Sequence, residues 1–241
     1  MQYYCNSLTS YSRLATPEVS IGAVPLGGKH PVRVQSMTNT PTENIEATVQ
    51  QCLQLIEVGC AYIRITTPSI RDVQSLLKIK EQLRLLGHTT PLIADVHFSP
   101  VVAEEAARVV EKVRINPGNY VDKRVASTTV ISELEYSLEL ERIHERIAPL
   151  IQICKTYGTV LRIGSNHGSL SQRIIQRYGN TPEGMVEAAM EFLRICDSLS
   201  FRNIVVSMKS SNTRVMIQST RLLVQKMHAE NLLFPLHLGV T

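Results

Sequence analysis

Apolar residues recur along the chain at two alternating spacings. Short runs rich in Val and Ile occupy residues 32–38, 61–67, 92–98, 112–116, 160–164, 204–208 and 236–240. Each has the length and composition of a strand buried on both faces. Between these runs the spacing becomes helical: Ile45, Val49, Cys52, Leu53 and Ile56 share one face, as do Ile70, Val73, Leu76, Leu77 and Leu83, and then Val215, Met216, Leu222, Leu223 and Met227. Strands that alternate with helices predict a parallel sheet. Seven successive units favour a TIM-type (β/α)8 barrel over a doubly wound sheet. The first strand leads into Ser36-Met37-Thr38-Asn39-Thr40 and lacks the glycine-rich turn of dinucleotide-binding folds. A complete barrel takes about 250 residues. A chain of 241 residues with a long N-terminal arm is therefore expected to form an α/β barrel that is incomplete at its C-terminus, with about seven strands. The expected organisation is an arm over 1–20 and a substrate-binding barrel over 21–241.

Helix starts carry their own chemistry. Thr40-Pro41-Thr42-Glu43 offers a capping hydroxyl, a proline at the first helical position and a glutamate three residues after the cap, and Ser99-Pro100 and Thr181-Pro182-Glu183 repeat part of that signal. Gly27-Gly28 reads as a turn. The longest connection, 120–159, reads as an elaborated loop followed by a charged helix through Leu134, Leu138, Ile143, Ile147, Leu150, Ile151 and Cys154.

Three strands end on one local pattern: Ile63-Arg64-Ile65-Thr66, Val113-Arg114-Ile115-Asn116 and Leu161-Arg162-Ile163-Gly164. Side chains alternate across a strand, so each arginine faces away from its apolar neighbours, into either the helix layer or the barrel interior. The interior near the C-terminal rim is where barrel enzymes place their sites. Three guanidiniums converging there repel one another unless an anion sits among them, and their planar donors match phosphate oxygens. Lys209, in Ser207-Met208-Lys209-Ser210-Ser211-Asn212, adds a fourth cation at the next strand end. The simpler reading pairs each arginine with its own carboxylate. Repetition in one register favours an anion site instead. Arg33 lies early in its strand and reads as structural or solvated. Gln35, Thr38, Asp95, His97, Asn116, Asn119, Asn166, His167 and His237 complete a polar rim, in which Asp95 and His97 share a strand face and suit the positioning of a proton donor.

Charge and cysteine usage narrow the choices. The net charge is +4, with 25 Lys and Arg dispersed among 21 Asp and Glu, so no basic run marks a nucleic-acid face. Cys5, Cys52, Cys60, Cys154 and Cys196 are widely spaced and form no C-x-x-C pair, which encodes no metal site and suits reduced thiols. No apolar stretch approaches the ~20 residues of a membrane span, and 1–20 lacks a secretory pattern, so a cytoplasmic protein is expected.

Taken in order, five segments closely resemble the 4-hydroxy-3-methylbut-2-enyl diphosphate synthase family. They are Val34-Gln35-Ser36-Met37-Thr38-Asn39-Thr40, Ala94-Asp95-Val96-His97-Phe98, Arg114-Ile115-Asn116-Pro117-Gly118-Asn119, Arg162-Ile163-Gly164-Ser165-Asn166-His167-Gly168-Ser169-Leu170 and Pro235-Leu236-His237-Leu238-Gly239-Val240-Thr241. The match runs from about residue 21 to the last. The form of 166–170, with Arg177-Tyr178-Gly179-Asn180-Thr181-Pro182-Glu183-Gly184-Met185, resembles the three-domain type. The resemblance implies the penultimate step of the non-mevalonate isoprenoid pathway, a two-electron reductive ring opening of 2-C-methyl-D-erythritol 2,4-cyclodiphosphate with loss of water. It also implies a homodimer and ferredoxin or flavodoxin as electron donor. By resemblance, Arg64, Arg114, Arg162 and Lys209 clamp the diphosphate; Asn116, Asn166, Ser211, His237 and Gln35 add hydrogen bonds; and Asp95 and His97 are catalytic. The family's [4Fe-4S] cluster takes its ligands after the last barrel strand, outside this chain, so none of the five cysteines is assigned to it and the chain alone is expected to bind substrate weakly without turnover. Two alternatives fit the same residues: another phosphate- or pterin-binding barrel enzyme, or a non-catalytic binding module.

Overall fold

A computed structural model of the chain describes residue 7 and residues 9–121 and 131–239. An antiparallel hairpin comes first, β1 (Glu18–Ile21) against β2 (Val24–Gly27), and Gly27 and Gly28 make its exit turn with φ of 86° and 51°. The expected boundary between arm and barrel at residue 20 falls inside this hairpin. Six parallel strands follow in strict chain order: β3 (Gln35–Met37), β4 (Tyr62–Thr66), β5 (Leu92–Asp95), β6 (Lys112–Ile115), β7 (Val160–Asn166) and β8 (Ile204–Lys209). The connections carry α1 (Ile45–Glu57), α2 (Ile70–Leu85), α3 (Pro100–Ala107), α4 (Pro117–Tyr120), α5 (Glu133–Tyr157), α6 (Gln172–Tyr178), α7 (Pro182–Ser198) and α8 (Thr213–Ala229). This is the expected α/β barrel, left open.

Two of the expected strands are shorter than their apolar runs. The first is confined to β3, because Pro31 has no amide to donate and Val32 and Val34 are exposed. The last reduces to a single parallel bridge between Leu236 and Val206, in which Val206 N–H donates to Pro235 O and His237 N–H to Val206 O. Val240 and Thr241 lie outside the described residues. Between β3 and the 235–238 segment the wall is unpaired, and a cavity of 320 Å³ opens there.

The strands separate two cores. Ile63, Ile65, Leu92, Ala94, Val113, Ile115, Leu161, Ile163, Ile204, Val206 and Met208 face outward into the helix layer. Inside the barrel, Tyr62, Ile93, Val160 and Val205 lie at the strand starts and receive Val19 and Ile21 of the hairpin. The hairpin plugs the barrel floor, and Tyr62 Oη donates to Val24 O to tie it down.

The helix starts at Ser99-Pro100 and Thr181-Pro182 form as expected, with Ser99 Oγ accepting from Val102 N–H and Thr181 Oγ1 from Gly184 N–H. The first helix starts later than Thr40-Pro41-Thr42-Glu43 indicated. Asn44 is its cap, while the Thr40 hydroxyl bonds that of Thr48 at 2.8 Å and Thr42 Oγ1 donates to Thr66 O at 2.6 Å at the end of β4. Ser132 and Glu135 form a reciprocal capping box at the start of α5, the charged helix expected in the long connection.

Gly118, in α4, allows the rim to close. A Cβ there would lie 1.6 Å from Ser169 O, in the 3-10 turn after β7. A backbone oxygen cannot yield as a side chain does, so Gly118→Ala is expected to cost on the order of 3 kcal/mol or more. Urea denaturation of the variant checks this.

Candidate anion site

Alternation along the strands turns one set of polar side chains into the barrel: Arg64 and Thr66 on β4, Asp95 on β5, Lys112 and Arg114 on β6, Arg162 and Gly164 on β7, and Ser207 and Lys209 on β8. Their apolar neighbours fill the outer core. Register then brings them level, with Asp95 beside Arg114 and Arg114 beside Arg162. The expected arginine convergence is present.

Asp95 is the hub. Arg114 Nη1 donates to its Oδ1 at 3.2 Å, Arg64 Nε lies 3.6 Å from its Oδ2, and His97 Nε2 lies 3.2 Å from the same oxygen. Burial alone would push this carboxyl up. The His97 contact and the charges of Arg114 and Arg64 outweigh it and hold Asp95 well below the usual carboxylate range. It is therefore an anion at any physiological pH and cannot itself donate a proton. His97 has a partly exposed ring, packed edge-on to Phe98 at 5.8 Å.

The cations outnumber their counter-ion. Arg114 Nη2 donates to Gly164 O at 3.1 Å, and its Nε has no partner. Arg64 donates through Nε and Nη2 to the Met37 thioether at 3.1 and 2.9 Å, a weak acceptor for a guanidinium. Arg162 is 0% exposed, and none of its three side-chain nitrogens has a hydrogen-bond partner. Burial, then repulsion from Arg114 and Arg64, pushes it down to about 9, so it stays a cation at neutral pH. Burial and the three arginines push Lys209 down to about 8. His237 falls to about 2, chiefly by burial and then through Arg162, Lys112 and Lys209, and is a neutral ring. Arg64, Lys112, Arg114, Arg162 and Lys209 thus share Asp95 as their one interior carboxylate among the described residues.

The remaining predicted residues divide. Asn166 stands level with Lys209, its Oδ1 buried and unpartnered, as is Ser207 Oγ. Gln35 and His237 line the cavity beside Lys112. Asn116 is spent largely on structure: its Oδ1 caps α4 by accepting from Gly118 N–H, and its Nδ2 donates to Ser169 Oγ at 2.7 Å. Ser211 is exposed in the turn before α8, whereas its neighbour Ser210 is buried. Arg33 donates to Pro25 O, which favours the structural of the two readings its position allowed. Lys112 was missed, because a lysine at the first residue of a strand looks like a solvated end. Gly164 was missed as a site residue, yet a Cβ there would meet Arg114 Nε at 2.8 Å and Arg162 Nη2 at 3.4 Å.

The four thiols among the described residues do not fit an iron–sulfur centre. Cys52, Cys60, Cys154 and Cys196 are buried and free, and burial pushes Cys52 and Cys154 up to about 12. Among the described residues no three His, Cys, Asp or Glu side chains gather as metal ligands. No helix of the described residues is long and apolar enough to cross a membrane.

A buried charge without a partner carries a desolvation penalty on the order of several kcal/mol, which an apolar residue of similar volume does not. Arg162→Met is therefore expected to raise the Tm of the free protein while abolishing binding of inorganic diphosphate, with calorimetry and thermal unfolding as the paired measurements. A lowered Tm with binding intact would contradict the assignment.

The chain is 54% identical over 235 residues to the 4-hydroxy-3-methylbut-2-en-1-yl diphosphate synthase (flavodoxin) of Bacteroides fragilis, covering 97% of this chain and 38% of that one. It is 48% identical to the synthase of the same name from Leptospira interrogans, over 96% of this chain and 35% of the relative. With that from Akkermansia muciniphila it shares 47% identity, over 99% of this chain and 41% of the relative. The chain thus spans little more than a third of these relatives' length. The model of the GcpE TIM-barrel domain matches residues 16–241, a span that contains every strand-end cation described above, and the chain belongs to that family.

Proposed function

We propose that this chain is the substrate-binding barrel of a 4-hydroxy-3-methylbut-2-enyl diphosphate synthase, and that its interior takes the diphosphate of 2-C-methyl-D-erythritol 2,4-cyclodiphosphate. The observation that carries the reading is the Arg162 guanidinium, fully buried with no hydrogen-bond partner, among cations that share one carboxylate. A diphosphate brings several anionic oxygens, which is what an uncompensated group of guanidiniums and ammoniums requires. In this reading Arg64 exchanges the Met37 thioether for a phosphate oxygen. Arg114 keeps its Asp95 contact and offers Nε. Arg162 and Lys209 complete the clamp, with Asn166, Ser207 and a neutral His237 as hydrogen-bonding groups.

Asp95 fixes the two guanidiniums and His97. Of that pair, His97 is the group able to hand a proton toward the barrel mouth. The relatives' names specify flavodoxin, which supports flavodoxin over ferredoxin as the electron donor. The two electrons would arrive through an iron–sulfur cluster whose ligands are not among these residues, and the barrel's part is to bind, orient and shield the substrate. Buried free thiols suit a reducing, cytoplasmic setting, and the family resemblance points to a homodimer.

Direct binding of the cyclodiphosphate tests the proposal. Arg114→Ala and Arg162→Ala are each expected to weaken it by roughly 100-fold or more, since each leaves a desolvated phosphate oxygen unpaired. Affinity unchanged in both variants would refute the anion clamp. Asp95→Asn is expected to lower turnover in the holoenzyme by more than it weakens ground-state binding, because it removes the partner of His97.

Binding should also depend on pH with a definite sign. An anion raises Lys209 from about 8 toward its ordinary value, so binding takes up protons near that pH and affinity falls as pH rises through 8. The free protein moves the opposite way: between about 8 and the ordinary lysine value the unfolded chain holds the proton that the folded one has lost, so stability rises with pH. Calorimetry in buffers of different ionisation enthalpy, with unfolding across pH 7 to 10, measures both.

A further inference from the structure

Lys112 is 1% exposed and lies two residues before Arg114 on the same inward face of β6. Its Nζ donates to Gln35 Oε1 at 3.3 Å and stands 4.8 Å from the centre of the Tyr62 ring. Gln35 and Tyr62 belong to β3 and β4, at the far edge of the sheet, so the lysine side chain crosses the barrel interior to reach them. No carboxylate of the described residues makes an ion pair with it. The groups that face it are Gln35 on β3, Tyr62 and Arg64 on β4, Arg162 on β7 and His237 in the last segment. One amide oxygen and a ring face do not offset the desolvation of an ammonium. A side chain that only filled the floor would do so at lower cost as Met or Leu.

What the charge adds is position and field. With its oxygen held by the ammonium, the Gln35 amide keeps its NH2 group as the donor left for another partner. At an effective dielectric of about 20, a cation about 8 Å from an anion changes affinity by more than tenfold. Burial, then the charges of Arg162 and Arg64, lowers Lys112 well below an ordinary lysine and disfavours its charge in the free site, whereas an anion in the same interior acts in the opposite direction and favours the ammonium. We propose that Lys112 is a positioning residue of the anion site, a fifth basic group that acts from the barrel floor by fixing the Gln35 amide and, when the anion is bound, by adding positive charge beneath Arg162. This rests on the anion-clamp reading above.

The test is calorimetric titration of inorganic diphosphate into the full chain as wild type, Lys112→Met and Lys112→Arg, with thermal unfolding of each. The expected result is that Lys112→Met keeps or raises the Tm while affinity falls roughly tenfold or more, and that Lys112→Arg restores most of the affinity. Lys112→Gln, which keeps a polar stem without charge, is expected to follow Met and serves if Met does not fold. Unchanged affinity in the uncharged variants overturns the inference and leaves the clamp standing. So does an equal loss of affinity and Tm in both Met and Arg, which would mark a packing role. A wild type that does not bind diphosphate overturns the clamp reading itself, and this inference with it.

Discussion

Positive charge buried without its equivalent in negative charge governs this barrel. Five basic side chains project into one interior, and Asp95 is the carboxylate among the described residues that meets them, through Arg64 and Arg114. Such an arrangement opposes folding by itself, since each desolvated charge costs several kcal/mol before any partner is found. The two apolar cores have to supply the difference. That explains how thoroughly the outer layer is packed, with Leu76, Ile79, Leu83, Ile147, Leu150 and Phe192 all fully buried around the strands.

The backbone accommodates the charges by arranging small features around them. Gly164 leaves room where Arg114 and Arg162 come closest, and Gly118 lets the short α4 sit on the turn that follows β7. Met37 holds Arg64 with a soft acceptor that competes weakly with any oxyanion. Away from the interior, conventional pairs do the structural work. Arg173 and Tyr136 both bond the buried Glu191 and tie α5, α6 and α7 together, while Arg194 and Lys226 meet on Glu187 between α7 and α8. The contrast between paired charges in the helix layer and unsatisfied ones in the barrel marks the candidate site on electrostatic grounds.

Much of this was legible in the sequence because it rests on short-range periodicity. The repeated apolar-Arg-apolar triplets fixed the arginines to one face, and alternation did the rest. Less legible were features set by distant contacts. Lys112 looks like a strand-end lysine until the sheet carries it toward Gln35, and Asp95 acquires its role from Arg64 and Arg114 on the neighbouring strands. Ser211 is one residue away from the buried Ser210, an offset that a turn decides and periodicity does not. The Thr40–Glu43 cap failed because the Thr40 hydroxyl bonds that of Thr48 and Asn44 caps the helix instead, and the β1–β2 hairpin left no clear signal because its strands are short and β2 contains Pro25.

The hairpin plug has one more consequence. With Val19 and Ile21 seated among Tyr62, Ile93, Val160 and Val205, the floor is apolar, and the charged layer lies directly above it. In the proposed reading an amphiphilic guest settles in such a cup in one orientation, anion down and carbon skeleton toward the opening. On that reading the barrel decides which end of its guest is presented at the mouth, before any chemistry begins.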